Sequence, residues 1–206
     1  MESSAEFLPI SDGSPPVEYD IDAELMELPY VLRININNPI IEIPYLRVKA
    51  REYIERGRLK AGIAWKSGDW DARRSIPYEK MKLLNKVEGV DFHILQKGKG
   101  LSEWTDNFGF LSGSEDIYEA AEIVKSLDVV ITADTMIAHL AGALGVRVWL
   151  LLCDDPDWRW FENRSDSPWY PTMRIFRQKK AGEWDKVIAE VAQELSIMQK
   201  KASKFC

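Results

Sequence analysis

Between Leu59 and Met198 the chain alternates between two hydrophobic rhythms. Short apolar runs at Leu59–Trp65, Val90–Leu95, Val129–Ile131, Val146–Leu152 and Met173–Phe176 predict strands, those of a parallel sheet being buried on both faces. Between them, apolar residues fall at helical spacing. Met81, Leu84 and Val87 mark a helix over 77–87, with Pro77 in its first turn. Ile117, Ala120, Ala121 and Val124 mark a second, over 116–126, facing inward, with Ser114 or Glu115 near its cap. Met136, Ile137, Leu140, Ala141 and Leu144 mark a third, capped by Asp134 or Thr135 and stopped by Gly145. Trp184, Val187, Ile188, Val191, Leu195 and Met198 mark the last. A short strand is expected near 108–111 and a long loop over 154–172. Strands alternating with helices predict an α/β fold, a doubly wound parallel sheet.

Ahead of Leu59 the pattern breaks down. Residues 1–16 carry Ser, Gly and Pro with little periodicity and are expected to be a flexible start or a piece of something larger. Over 17–47, Pro29, Pro39 and Pro44 leave no room for a helix longer than two turns. Such a segment must lean on a neighbour to bury its apolar clusters. The run RVKAREYIER, ended by Gly57, predicts a charged linker helix. The expected organisation is therefore an irregular segment over 1–47, a linker helix over 48–58 and the main domain over 59–206.

Composition narrows the class. A chain of 206 residues makes one sizeable domain, or one domain and part of another. With 27 basic against 33 acidic residues the net charge is −6, which argues against a general nucleic-acid partner. Cys153 and Cys206 offer neither a disulfide framework nor zinc-ligand spacing, which suits a reducing, cytoplasmic location. No apolar run approaches the roughly 18–20 residues that span a bilayer, and no membrane span is expected.

Candidate chemistry gathers where strands should end, because open α/β sheets bind ligands beyond the carboxyl ends of their strands. Asp134-Thr135 opens a helix directly after a buried strand, where free N–H groups and the helix dipole suit a diphosphate. Met136, Ile137 and His139 lie within the first turn and a half. Asp134 as a plain cap and His139 as a half-buried structural histidine is the competing reading. The loop after the first strand carries Lys66, Ser67, Arg73 and Arg74, and arginine's planar fork suits phosphate oxygens; the alternative is a solvated charged loop. Asp69-Trp70-Asp71 spells D-x-D, a pattern some sugar transferases use to hold a metal. Asp20-Ile21-Asp22 and Asp155-Pro156-Asp157 spell it too, so the pattern discriminates poorly and no metal site is expected. Gln96-Lys97-Gly98 ends the second strand and either contacts a base or ribose or turns the chain. Trp158, Trp160, Trp169 and Tyr170 crowd the long loop, either to stack on a ligand or to clamp the loop to the sheet.

The run ITADTMIAHLAGALGVRVWLLL, preceded by SEDIYEAAEIVKSLDVV and followed by DDPDWRWFENRSDSPWYPTMRIFRQ, resembles the heptosyltransferase-like glycosyltransferases of family 9, in particular the branch often fused behind tetratricopeptide repeats. AGIAWKSGDWDARRSIP is similar to that family's first strand and loop, and FHILQKG to its second strand; the resemblance covers residues 57–198. It implies the C-terminal, Rossmann-like half of a two-domain GT-B transferase, the half that binds a nucleotide-sugar donor. On the same resemblance, Asp134, Thr135, Met136 and His139 match donor diphosphate and sugar contacts, and Arg74 or a neighbour matches a basic phosphate-binding position. The family often has glycine where this chain has Met136. ISDGSPPVEYDIDAELMELPYVLRININNPIIEIPYL resembles the tail of the acceptor domain, so a missing acceptor domain or partner chain is expected to complete the site and supply the catalytic base.

We therefore assign donor and diphosphate binding to Ser67, Arg73, Arg74, Asp134, Thr135, Met136, Ile137 and His139. Base or sugar contacts fall to Trp65, Gln96, Lys97 and Trp158. The expected role is the donor-binding domain of a metal-independent transferase that moves a sugar to a hydroxyl acceptor. A nucleoside-diphosphate sugar is the substrate, with no separate cofactor, and weak or no transfer is expected from this chain alone. The alternatives are a non-catalytic nucleotide-sugar-binding or structural module, or an epimerase of the same architecture.

Overall fold

The computed structural model describes residues 27–35, 42–53, 58–69, 71–106 and 108–203. Two compact units divide between Ile40 and Ile41. In the first, the described residues hold a single helical turn, α1 (Leu28–Val31), in keeping with the prolines around it.

The second unit is built on six parallel strands: β1 (Leu59–Ala64), β2 (Val90–Ile94), β3 (Phe110–Leu111), β4 (Val129–Ala133), β5 (Val148–Leu152) and β6 (Met173–Arg177). They lie in the order β3-β2-β1-β4-β5-β6, the doubly wound Rossmann arrangement. The central strands β1, β4 and β5 divide their side chains between two apolar layers, while both residues of the edge strand β3 are exposed. Ala61 and Ile63 of β1, Val129 and Ile131 of β4 and Leu151 of β5 pack with the helix α2 (Tyr78–Met81) and with α5 (Trp184–Ala202). Ala64, Val130, Val148 and Leu150 face the opposite layer, formed by α3 (Ile117–Lys125) and α4 (Met136–Ala143). Burial on both faces explains why these strands read as continuous apolar runs.

Several local expectations are corrected. The helix expected over 77–87 keeps only one α-turn and continues as a 3-10 helix, Lys82–Lys86. Asp116, not Ser114 or Glu115, caps α3 by accepting from the amides of Tyr118 (2.8 Å) and Glu119 (2.9 Å). Ile117, expected inside, is exposed at the start of that helix. No linker helix forms over residues 47–53, while 54–57 lie outside the described residues. A short charged helix is marginal alone, and here its backbone finds other partners. The Arg51 amide donates to Glu122 O at the end of α3 (3.0 Å), and the Tyr45 amide to Ala143 O at the end of α4 (3.1 Å). These are helix carbonyls with no intrahelical donor, so the segment is tied to the ends of α3 and α4 without regular structure of its own. Among the described residues, no helix is long and apolar enough to cross a membrane.

Candidate functional site

The chain reverses its direction of winding between β1 and β4, and a doubly wound sheet opens a crevice at such a point. β1 ends at Ala64, and the chain turns through Trp65, Lys66 and Ser67. Gln96, buried at the end of β2, fixes that exit: its Oε1 accepts from the amides of Trp65 (2.9 Å) and Lys66 (2.8 Å). Its Nε2 donates to Lys97 O at 2.9 Å. Gln96 thus borders the crevice with its amide already committed to backbone. Trp65 points into the α2–α5 layer, fully buried, with its ring 4.9 Å from Tyr78 and its Nε1 donating to Glu103 (3.0 Å). A base or sugar contact by Trp65 is therefore corrected: it is core, because position 65 continues the side of β1 that faces inward at Ala61 and Ile63.

β4 ends at Ala133, and Asp134 and Thr135 lead into α4. Thr135 stands at the N-cap position, yet its side chain does not cap the helix; its Oγ1 lies 3.1 Å from Thr132 Oγ1 instead. The first-turn N–H groups of Met136 and Ile137 are therefore left facing the crevice mouth without a side-chain cap. Asp134 is only 3% exposed, and its carboxylate receives Arg74 Nη2 at 2.7 Å, the same nitrogen also reaching Asp134 O at 3.1 Å. The two expected arginines part company here. Arg73 turns outward to Asp71 (2.9 Å) and Asp155 (3.1 Å), tying the β1 loop to the β5 loop. Ser67 is buried, its amide accepted by Ser75 Oγ at 3.1 Å.

A cleft of about 190 Å³ lies between these elements. Ala64, Leu95, Ala120, Ile123, Val124 and Ile137 supply its apolar wall, while Lys66, Gln96, Lys97, Ser114 and Thr135 supply polar groups. Lys66 pairs with Glu103, and Lys97 with Glu115 at 3.1 Å. Met136 also borders the cleft and is 55% exposed. Trp158 is 72% exposed, carries the Arg159 guanidinium 5.7 Å from its ring, and is not among the residues that line the cleft.

His139, one turn into α4, is built into a framework of rings. Its Nε2 is 4.0 Å from Asp134 Oδ1, its Nδ1 is 3.1 Å from the Tyr170 hydroxyl, and its ring stacks on Trp160 at 5.2 Å. Burial holds its pKa below the ordinary imidazole value, with Asp134 pulling the other way. Burial, with a hydrogen bond to Tyr45, pushes the Tyr170 hydroxyl up. Gly142 explains how Tyr170 comes so near: a Cβ there would meet the ring at 2.4 Å. Trp160 and Tyr170 thus clamp the loop onto α4, and their part around His139 had no signal in the sequence beyond the Gly142 in HLAGALG.

The D-x-D carboxylates are otherwise occupied. Asp69 pairs with Lys99 (2.7 Å) and Asp71 with Arg73, and both are held below the usual carboxylate range by those hydrogen bonds. Asp157 caps the turn at 158–160 and pairs with Arg159 (3.1 Å). Trp70 and the Asp20–Asp22 pattern lie outside the described residues. Among the described residues, no group of three or more His, Cys, Asp and Glu side chains is placed to hold a metal.

A six-stranded doubly wound sheet, with an Arg–Asp pair and an uncapped helix at its switch point, defines a Rossmann-like domain. Among solved structures, the fold is similar to E. coli ADP-heptose lipopolysaccharide heptosyltransferase II, with a TM-score of 0.52 and 13% identity, covering 78% of this chain and 56% of that one. It is also similar to a family 9 glycosyl transferase from Veillonella parvula, with a TM-score of 0.54 and 12% identity, covering 70% and 48%. The chain thus spans about half the length of either structure. Protein FlbA of Caulobacter vibrioides is 27% identical over 152 residues, which are 66% of this chain and 25% of FlbA. No family model matches the chain.

Proposed function

We propose that this domain binds the nucleoside-diphosphate sugar of a sugar transferase. The observation that carries this reading is the Arg74–Asp134 pair beside the uncapped start of α4. Asp134 holds a guanidinium at the helix mouth, where its charge and the helix dipole favour the same ligand group, a diphosphate. The adjoining cleft offers an apolar wall and a polar rim, suited to the nucleoside. The solved structures of similar fold and the motif resemblance support the same reading.

In the proposed chemistry the acceptor hydroxyl displaces the nucleoside diphosphate from the anomeric carbon. Negative charge grows on the leaving diphosphate, and Arg74 with the first-turn amides of Met136 and Ile137 stabilises it. Met136 in place of a smaller residue narrows the approach of the sugar while leaving its amide in position. His139, neutral near pH 7, presents a hydrogen-bonding nitrogen on the same side of α4. The acceptor, and the base that takes its proton, are supplied from outside residues 58–203. No metal takes part.

Calorimetry of the 206-residue chain with ADP, UDP and GDP and their sugars tests this. Binding of one nucleoside diphosphate, weakened at least tenfold by Arg74→Met, is the expected result. If none binds at millimolar concentration, the structural-module reading replaces this one. Turnover of a donor without acceptor to an epimeric sugar would replace transfer by epimerisation.

A further inference from the structure

We infer that Arg177, at the carboxyl end of β6, is a positioning residue for His139, acting through Trp160. The contact chain stands on geometry alone; that His139 serves a donor site rests on the proposed function. Two of the three groups around the imidazole, the Trp160 ring and the Tyr170 hydroxyl, come from the long loop after β5. The loop must therefore be held if His139 is to keep its place.

Local preference does not hold it. Trp160 closes a 3-10 turn capped by Asp157, and the next residue, Phe161, sits at φ 52° and ψ 168°. That region crowds a Cβ and is populated by glycine, so a phenylalanine stays there only under outside constraint. Arg177 supplies the constraint. Its Nη2 donates to Trp160 O (3.0 Å) and Phe161 O (2.5 Å), the two carbonyls that bracket the strained residue. Charge-assisted donors of this kind are stronger than neutral ones. The guanidinium forms no ion pair with a carboxylate among the described residues, and burial draws its pKa down. Its charge is spent on these loop carbonyls. Trp160, thereby fixed and fully buried, forms the platform for the imidazole at a ring tilt of 26°.

Substitution at 177 can be read cleanly. The Arg177 backbone is secured by pairing with Leu152 in the sheet. The charged groups that bear on His139 are Asp134, Arg159, Arg74 and Asp157, and Arg177 is not one of them. A change in His139 titration therefore reports movement of the platform and not the loss of a nearby charge. The chain has two histidines, and His93, held between Tyr53 and Phe110, is an internal control.

The experiment is an NMR titration of both histidines in the 206-residue protein, in the parent, Arg177→Met and Arg177→Lys. In Arg177→Met the His139 midpoint is expected to rise toward the ordinary value of about 6.5 as water reaches the ring. Lysine, which keeps a charged donor on a side chain without the planar fork, is expected to give a smaller rise, and His93 to stay put. An unchanged His139 midpoint in the folded methionine variant overturns the inference; should methionine unfold the protein, an unchanged midpoint in the lysine variant does so. Nucleotide affinity is measured in parallel. If the midpoint moves but the parent binds no nucleoside diphosphate, the positioning stands and the donor-site reading falls.

Discussion

Arg74 donates one guanidinium nitrogen to both the carboxylate and the carbonyl of Asp134, sixty residues further along the chain. The bond joins the exits of β1 and β4, the two strands between which the winding of the sheet reverses. Side-chain exposures of 12% and 3% shield the pair from most of the solvent. Removing one partner should then leave an uncompensated charge. Asp134→Ala is expected to cost about 3 kcal/mol in urea denaturation. The double variant Arg74→Met with Asp134→Leu should recover much of that loss while binding no diphosphate. Equal stability of Asp134→Ala and the parent would show that the pair is solvated.

Stability should fall on acidification. His93 and His139 both have folded pKa values lowered mainly by burial. The unfolded chain, with imidazoles near 6.5, therefore binds protons more readily than the folded one. The contribution is fully present above pH 6.5 and is lost as pH falls below that value toward the folded pKa values. Denaturation midpoints at pH 7.5 and 5.5 check the direction, and His139→Gln should flatten the slope.

Gly142 should not tolerate a methyl group. The Tyr170 ring lies where a Cβ would project, at 2.4 Å, and that ring is itself buried. Gly142→Ala is expected to cost about 1–3 kcal/mol through overpacking, in spite of alanine's better helix propensity. Thermal denaturation would show it. A more stable alanine variant would mean that the ring moves aside without penalty.

Gln96 is a backbone anchor at the exit of β1, and its removal should be felt there first. Gln96→Ala leaves the amides of Trp65 and Lys66 without their acceptor, one of them buried. The expected loss is about 2–4 kcal/mol, together with faster hydrogen exchange at those two amides than at the centre of β1. Unchanged protection would show that water substitutes for the amide oxygen.

The succession of strands and helices was legible in the order of residues, because burial on two faces and on one face leaves different periodicities. Val129–Ile131 and the HLAGALG helix are read correctly for that reason. The linker helix failed on a long-range cause: the backbone of 45–51 bonds to the exposed carbonyl ends of α3 and α4, which no local pattern announces. The place of Asp134-Thr135 beyond the carboxyl end of a buried strand followed from the same alternation, whereas the strand order, and so the switch point, came only with the sheet.

Tertiary structure alone decided which side chains gather at that crevice. Arg73 and Arg74 are adjacent and chemically alike, yet one turns to Asp134 and the other to Asp71 and Asp155. Trp65 and Trp158 are both aromatic residues near strand ends, yet one is core and the other open to solvent. Residue type states what a group can do. Which neighbour it meets depends on contacts across tens of residues, and those exist only once the sheet has closed around its core.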